Sequence, residues 1–118
     1  MRILSVESWV EPCRLTRPYT IAYRTIDAID VGVVRRTAEG GVVGLGPASP
    51  EPHVTGETPE ACRAALSGDA LGWLSGRDVR ALPALLRELA WRAPATPAAR
   101  AAVDIALHDL LAKRLGVP

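Results

Sequence analysis

The chain has 118 residues, of which 48% are apolar and 23% are charged, and its formal net charge is +1. These values are typical of one globular domain with its own core and exclude an intrinsically disordered segment. The basic residues are spread along the chain, so a phosphate-binding stripe and a nucleic-acid partner are not expected.

No segment approaches the roughly twenty consecutive apolar residues of a membrane span. The N-terminal apolar run is broken at Glu7, too early for a signal peptide. Cys13 and Cys62 lie far apart, without a CxxC pair or a histidine at ligand spacing. Both thiols are expected to be free in a reducing, cytoplasmic setting, with a disulfide between them as the alternative.

The first half of the chain has the apolar alternation of β-strands. The pattern predicts a half-buried strand over about residues 2–12 and a second around residues 29–33. Glu39–Gly41 is typical of a tight turn, after which residues 42–45 return as a third strand. A hairpin of this kind pairs antiparallel, and the first strand is expected to join it as a meander. Two long loops are predicted, Cys13 to Asp27 and Pro47 to Thr58, and loops of this length often carry function.

The second half has the periodicity of helices. Thr58 and Pro59 predict a helix start, as N-cap and first residue, with the helix ending at about Leu66. A leucine stripe predicts a second helix over residues 80–91. Thr96 is the expected cap of a third helix, which runs from Pro97 to Gly116. The spacing of its apolar residues predicts one buried face, with Val103, Ala106, Leu107, Leu110 and Leu111. Strands followed by helices indicate an α+β fold, a three-stranded antiparallel meander followed by a helical bundle.

Several segments together resemble a known family. They are the hairpin, the G-x-G of Gly44 to Gly46, the TGET of Thr55 to Thr58, and the closing AAVDIALHDLLAKRLGVP. This combination resembles the N-terminal capping domain of the enolase superfamily, in its mandelate racemase/muconate lactonizing enzyme family. RPYTIAYRT, from Arg17 to Thr25, favours the dipeptide epimerases within it, such as those acting on Ala-Glu. The resemblance implies that residues 1–118 are the whole capping domain and that a C-terminal (β/α) barrel is absent from the chain.

The resemblance implies chemistry that this chain does not carry alone. In the family, carboxylates of the barrel hold Mg²⁺, which stabilises an enolate, and two lysines move the α-proton. This chain has one lysine, Lys113, and its carboxylates at Glu51, Glu57 and Glu60 lack metal-ligand spacing. No catalytic residue, metal ligand or cofactor is therefore expected here, and the chain alone is expected to be inactive.

The family's capping domain encloses the substrate with two loops, which correspond here to Leu15 to Ile26 and about Ala48 to Thr58. The resemblance assigns substrate contact to Arg24, Tyr19, Ile21 and Thr25 in the first loop, and to Thr55 and Gly56 in the second. Arg24 could bind a carboxylate of an acidic dipeptide bidentately. The alternative is a solvated loop arginine. The expected partners are the barrel, a dipeptide-like substrate and a second copy of the chain in a homo-oligomer.

Other polar and aromatic residues have simpler interpretations. His53 is expected to be an exposed loop histidine. His108 and Asp109 are adjacent on a helix and do not face each other, so packing or a barrel interface is expected. Trp9, Trp73 and Trp91 are expected to be core or interface anchors.

One departure from the family leaves the substrate open. The family often has G-x-G-E-A where this chain has Gly46-Pro47-Ala48. The capping domain of a muconate cycloisomerase or of an N-acylamino acid racemase is an alternative. A free-standing α+β binding module is a further alternative. A stand-alone module should cover its last helix and sheet with charge, whereas a capping domain should expose apolar residues there.

Overall fold

The structure, a computed structural model, describes residues 2–21 and 24–118, and for residues 10–39 we describe the backbone only. Within these residues, no helix has the length and apolar character needed to cross a membrane. The chain begins with a sheet and continues with helices that pack against it. The α+β fold predicted from the sequence is confirmed.

The sheet has three strands, β1 (Ile3–Ile21), β2 (Arg24–Ala38) and β3 (Val43–Ala48). Their order is β1-β2-β3 and both pairs are antiparallel, as expected for a meander. The predicted turn at Glu39–Gly41 is a single 3₁₀ turn, in which Gly40 and Gly41 have φ of 81° and 76°. Glycine adopts this left-handed backbone at little cost, which explains the tight connection.

The predicted first loop is wrong over most of its length, because β1 and β2 continue through it. Threonine, tyrosine and isoleucine favour strands and are frequent in this stretch. Its proline, Pro18, together with its polar residues suggested a loop, yet β1 is an edge strand, where proline costs no ladder hydrogen bond on the open side. Pro18 also falls where the pairing shifts register, between Arg14 and Tyr19. A proline therefore did not end the strand here.

Three helices follow, α1 (Pro59–Ala65), α2 (Leu82–Arg92) and α3 (Pro97–Leu115). They match the predicted helices to within one or two residues. The Thr58 side chain accepts a hydrogen bond from Ala61 N at 3.1 Å, so the predicted cap of α1 is confirmed. Two 3₁₀ turns, Gly72–Leu74 and Val79–Ala81, were not predicted. Short 3₁₀ segments lack the periodicity that identifies longer helices.

The core of the described residues lies between the sheet, α3 and the helical segment from Cys62 to Leu89. One face of α3 is buried at the predicted apolar positions Val103, Ala106, Leu107 and Leu110. Gly116 ends the helix with φ of 72°, in the left-handed conformation expected of a C-terminal glycine. Among the tryptophans, Trp73 is half-buried between Arg77 and Arg92, whereas Trp91 is 77% exposed. Trp91 is therefore no core residue.

The G-x-G segment explains how closely β3 approaches α3. Gly44 and Gly46 are buried, and a methyl group on either would overlap a backbone carbonyl of α3, that of Ala106 or Ala102. Between them, the N–H of Leu45 donates to the Asp109 carboxylate at 3.0 Å. Lys113 Nζ donates to the carbonyl of Val43 at 2.6 Å. These contacts fix the strand along the helix axis.

Candidate functional site

Four predicted site residues lie where β1 and β2 meet, at the far end of the sheet. Ile21 pairs with Arg24, and Tyr19 pairs with Ile26, one position beyond Thr25. The backbone therefore brings Tyr19, Ile21, Arg24 and Thr25 together, as the end of a two-stranded ribbon. Their side chains and residues 22–23 lie outside what the structure describes.

This ribbon extends well beyond the third strand. The last residue of β3, Ala48, pairs with Gly32, and β2 begins eight residues earlier, at Arg24. At about 3.3 Å per residue, the ribbon extends roughly 26 Å past the end of β3. Since β3 runs antiparallel to β2, its C-terminal end and the tip of the ribbon lie toward the same end of the sheet. The loop that follows β3 starts at that end.

This second loop comprises residues 49–58 and contains the other two predicted site residues. Thr55 N and Gly56 N donate to the carbonyls of Glu51 and Pro52, at 3.0 and 3.1 Å. The Thr55 hydroxyl accepts a hydrogen bond from Glu57 N at 3.3 Å. Gly56 has φ of 80°, and a Cβ there would meet no atom within 4 Å. Thr55 and Gly56 are thus exposed on a hydrogen-bonded turn with open space beside the glycine.

Glu57 holds the end of this loop to a distant helix. Its side chain is only 2% exposed, and its carboxylate accepts from Ala98 N at 2.6 Å and Ala99 N at 3.2 Å. These N–H groups lie in the first turn of α3 and have no partner within the helix. The expected cap of α3, Thr96, makes no capping hydrogen bond with its side chain. Thr96 therefore occupies the N-cap position of α3 as predicted, but its side chain does not cap the helix, because Glu57 accepts those hydrogen bonds instead.

Cys62 lies in α1 close to this buried carboxylate. Burial, followed by the neighbouring Glu57, raises the pKa of the Cys62 thiol from 9.0 to about 12. The thiol is therefore neutral and a poor nucleophile at neutral pH. Cys62 is free, as predicted. The side chain of Cys13 lies outside the described residues.

The remaining polar candidates are engaged in local structure. His53 is exposed on the loop, and its N–H donates to Glu51 Oε1 at 3.1 Å. The ring of His108 pairs with Asp104, with Nδ1 2.8 Å from Oδ1. Asp109 instead binds Lys113 Nζ at 3.0 Å. His108 and Asp109 therefore do not form a pair, in agreement with their helical spacing.

The described residues do not fit a magnesium site. No three of their histidine, cysteine, aspartate or glutamate side chains lie close enough together to hold a metal ion. Both oxygens of Glu57 already accept backbone hydrogen bonds, and Glu60 is exposed on α1. What this part of the chain presents is a ribbon and a hydrogen-bonded loop toward the same end of the sheet.

Comparison with known proteins gives a family match over nearly the whole chain. Residues 5–118 match the Mandelate racemase / muconate lactonizing enzyme, N-terminal domain. An L-Lys-D/L-Arg epimerase of Methylococcus capsulatus is 59% identical over 118 residues, which cover 100% of this chain and 33% of that protein. An L-Ala-D/L-Glu epimerase of Bacillus subtilis is 30% identical and is covered to 32%. The chain thus spans about a third of the length of the curated relatives it matches.

Solved structures give the same result for the fold. A crystal structure of the dipeptide epimerase from Methylococcus capsulatus, complexed with Mg and the dipeptide L-Arg-D-Lys, superposes with a TM-score of 0.94 at 59% identity. The superposition covers 98% of this chain and 33% of that one. The resemblance that the sequence motifs indicated is therefore confirmed.

Proposed function

This chain belongs to the mandelate racemase/muconate lactonizing enzyme family, as an N-terminal domain, and we propose that it is the capping domain of a dipeptide epimerase. In this proposal the chain encloses a dipeptide and selects it, while a (β/α) barrel carries the chemistry. Magnesium, where bound, would be held by that barrel and would stabilise the enolate. The observation that carries the proposal is the 59% identity to a dipeptide epimerase along all 118 residues.

We propose a cationic dipeptide, of the Lys-Arg type, as the substrate. The sequence motifs favoured an Ala-Glu dipeptide. The identity to the L-Lys-D/L-Arg epimerase is about twice the identity to the L-Ala-D/L-Glu epimerase, which favours the cationic substrate. The identity to a muconate cycloisomerase is 32%, so that alternative has weaker support.

The cationic substrate changes the role proposed for Arg24. A guanidinium repels lysine and arginine side chains, so Arg24 can bind such a dipeptide only through its terminal carboxylate. Tyr19, Ile21 and Thr25, which lie beside it on the ribbon, would cover the rest of the ligand. Thr55 and Gly56 would approach from the second loop, where Gly56 leaves space for a substrate backbone.

An apolar surface supports the barrel as partner over a stand-alone module. Leu45, Ile105, Ala112 and Pro118 line one cleft between β3 and the outer face of α3, together with the polar side chains of Asp104, His108 and Asp109. Leu45 and Ile105 are 45% and 47% exposed. Large apolar side chains grouped in this way are typical of an interface, whereas a free-standing module should cover this face with charge. The expected homo-oligomer stays a prediction.

A domain exchange tests the proposal. Residues 1–118 replace the corresponding N-terminal third of the Methylococcus capsulatus epimerase, and the chimaera is first checked for folding by circular dichroism and gel filtration. In D₂O, epimerisation replaces the α-proton of the dipeptide with deuterium, which mass spectrometry measures. L-Lys-L-Arg and L-Ala-L-Glu are compared, and the unexchanged epimerase serves as the control.

We expect deuterium incorporation into L-Lys-L-Arg at least tenfold faster than into L-Ala-L-Glu. A folded chimaera that prefers L-Ala-L-Glu would contradict the proposed substrate class. A folded chimaera without activity on any dipeptide would contradict the capping function itself. In an Arg24→Gln chimaera, KM for L-Lys-L-Arg should rise, because the proposed carboxylate contact is lost.

A further inference from the structure

We propose that Glu57 is a positioning residue for substrate binding: through its two hydrogen bonds to the start of α3, it holds the second loop in the place from which Thr55 and Gly56 reach the ligand. This inference rests on the proposed function. It assigns to Glu57 a role beyond capping a helix, because the same side chain terminates the loop that encloses the substrate.

The first argument is the environment of the carboxylate. Glu57 is the one charged or polar side chain that is buried among the described residues whose exposure is known. A buried carboxylate is costly unless its oxygens are hydrogen-bonded. Here each oxygen accepts from one backbone N–H of α3. The carboxylate also lies at the N-terminal end of α3, where the helix dipole attracts negative charge.

The second argument is the span of the contact. The two hydrogen bonds join residues that are 41 and 42 positions apart in the sequence. A cap serves its own helix, and a serine or threonine beside the helix would be enough for that purpose. Thr96 stands at that position and its side chain makes no such bond. The acceptor comes instead from the loop. Breaking these two hydrogen bonds therefore releases the loop as well as the end of the helix.

The third argument is the hydrogen bonding within the loop itself. Glu57 N donates to the hydroxyl of Thr55, and that hydroxyl lies 3.4 Å from the carbonyl of Glu51, to which it donates. Gly56 comes directly before Glu57 and has the left-handed backbone that turns the chain. Thr58, directly after, caps α1. The turn with Thr55 and Gly56 is therefore held through its next residue, and its position depends on the carboxylate.

Hydrogen exchange of the 118-residue chain tests the contact. Glu57→Gln keeps the size of the side chain but places an NH₂ group where a second acceptor is needed. We expect amide exchange in residues 51–57 and at the start of α3 to become at least tenfold faster. Ala90→Gly, at an exposed position of α2, is the control, since glycine destabilises that helix without touching the loop. Unchanged exchange in residues 51–57 of Glu57→Gln would overturn the proposal.

Kinetics of the chimaera separate positioning from stability alone. For Glu57→Gln we expect KM for L-Lys-L-Arg to rise at least tenfold, with a smaller change in kcat, at a temperature where the protein is folded. Ala90→Gly should lower the melting temperature and leave KM unchanged. If Glu57→Gln lowered the melting temperature but left KM unchanged, the role of Glu57 would be purely structural and the proposal would be overturned. Because the exchange experiment needs no substrate, the loop contact and the proposed function can fail separately.

Discussion

Replacing Gly46 with alanine should be among the most damaging single-methyl changes in the described part of this chain. The added Cβ would overlap the carbonyl oxygen of Ala102 and lie 2.7 Å from its carbonyl carbon and 3.0 Å from Ala106 N. All three atoms belong to the backbone of α3, so no side chain can rotate away. The strand or the helix must move by roughly 1–2 Å, because non-bonded heavy atoms normally lie about 3.5–4 Å apart.

The loss of stability in Gly46→Ala depends on which atoms must move to relieve the overlap. Overpacking a core typically costs about 1–3 kcal/mol, and side-chain rearrangement usually keeps it in that range. Since the clash at Gly46 is with backbone, we expect about 3 kcal/mol or more. Natural domains are stable by about 5–15 kcal/mol, so this is a large fraction of the total. At about 3–5 °C per kcal/mol for a domain of this size, the melting temperature should fall by roughly 10–15 °C.

Two other glycines separate crowding from backbone strain. Gly68 has no atom within 4 Å of the position that an added methyl group would occupy and no positive φ, so Gly68→Ala should be neutral or slightly stabilising. Gly40 also has open space but a φ of 81°, so Gly40→Ala should cost about 1 kcal/mol through strain alone. Urea unfolding followed by circular dichroism gives the free energies. If Gly46→Ala were as stable as Gly68→Ala, β3 could not lie directly against α3.

Two further predictions concern pH. Burial alone would raise the pKa of Asp109, but the hydrogen bonds from Leu45 N–H and Lys113 outweigh it and lower the pKa below its ordinary 3.8. Asp109→Ala removes the acceptor of both hydrogen bonds and should cost about 1 kcal/mol of unfolding free energy at pH 7. In urea unfolding, the stability difference between the natural chain and the variant should shrink as the pH falls below about 4. A difference that stays constant with pH would contradict the ion pair. The pKa of Cys62 is instead raised from 9.0 to about 12, so its contribution is complete below pH 9 and is lost as the pH rises toward 12. Between pH 9 and 11, Cys62→Ala should accordingly lose less stability than the natural chain. If the unfolding free energies of both proteins fell equally with pH, the thiol would not be buried.

The helices could be predicted because their signals are local. The stripe on α3, the cap at Thr58 and the glycine at the end of α3 each depend on residues within a few positions of one another. The cap of α3 could not be predicted in this way, because Glu57 lies in another loop and Thr96 looked sufficient.

The two strands of the ribbon, in contrast, could not be predicted from local signals. Pro18 suggested a loop, and whether proline is tolerated in a strand depends on which side of it faces a neighbour. That information is in the sheet order, with β1 at the edge, and not in the local sequence. The residues assigned to substrate contact in the first loop therefore lie on strands and not in the loop that the sequence predicted. Their side chains lie outside the described part of the chain, so their contacts stay predictions.

The glycines of β3 and the carboxylate of Glu57 act on the same loop from its two ends. The loop begins directly after Ala48, the buried last residue of β3, and it ends at Glu57, which is bound to α3. The position of β3 along α3 therefore sets one end of the loop, and the first turn of α3 sets the other. A shift of β3 by roughly 1–2 Å, the displacement that relief of the Gly46→Ala overlap requires, would move the first end while the second stayed fixed. If the chain encloses a dipeptide as proposed, changes at the sheet-helix contact should alter substrate selection as well as stability.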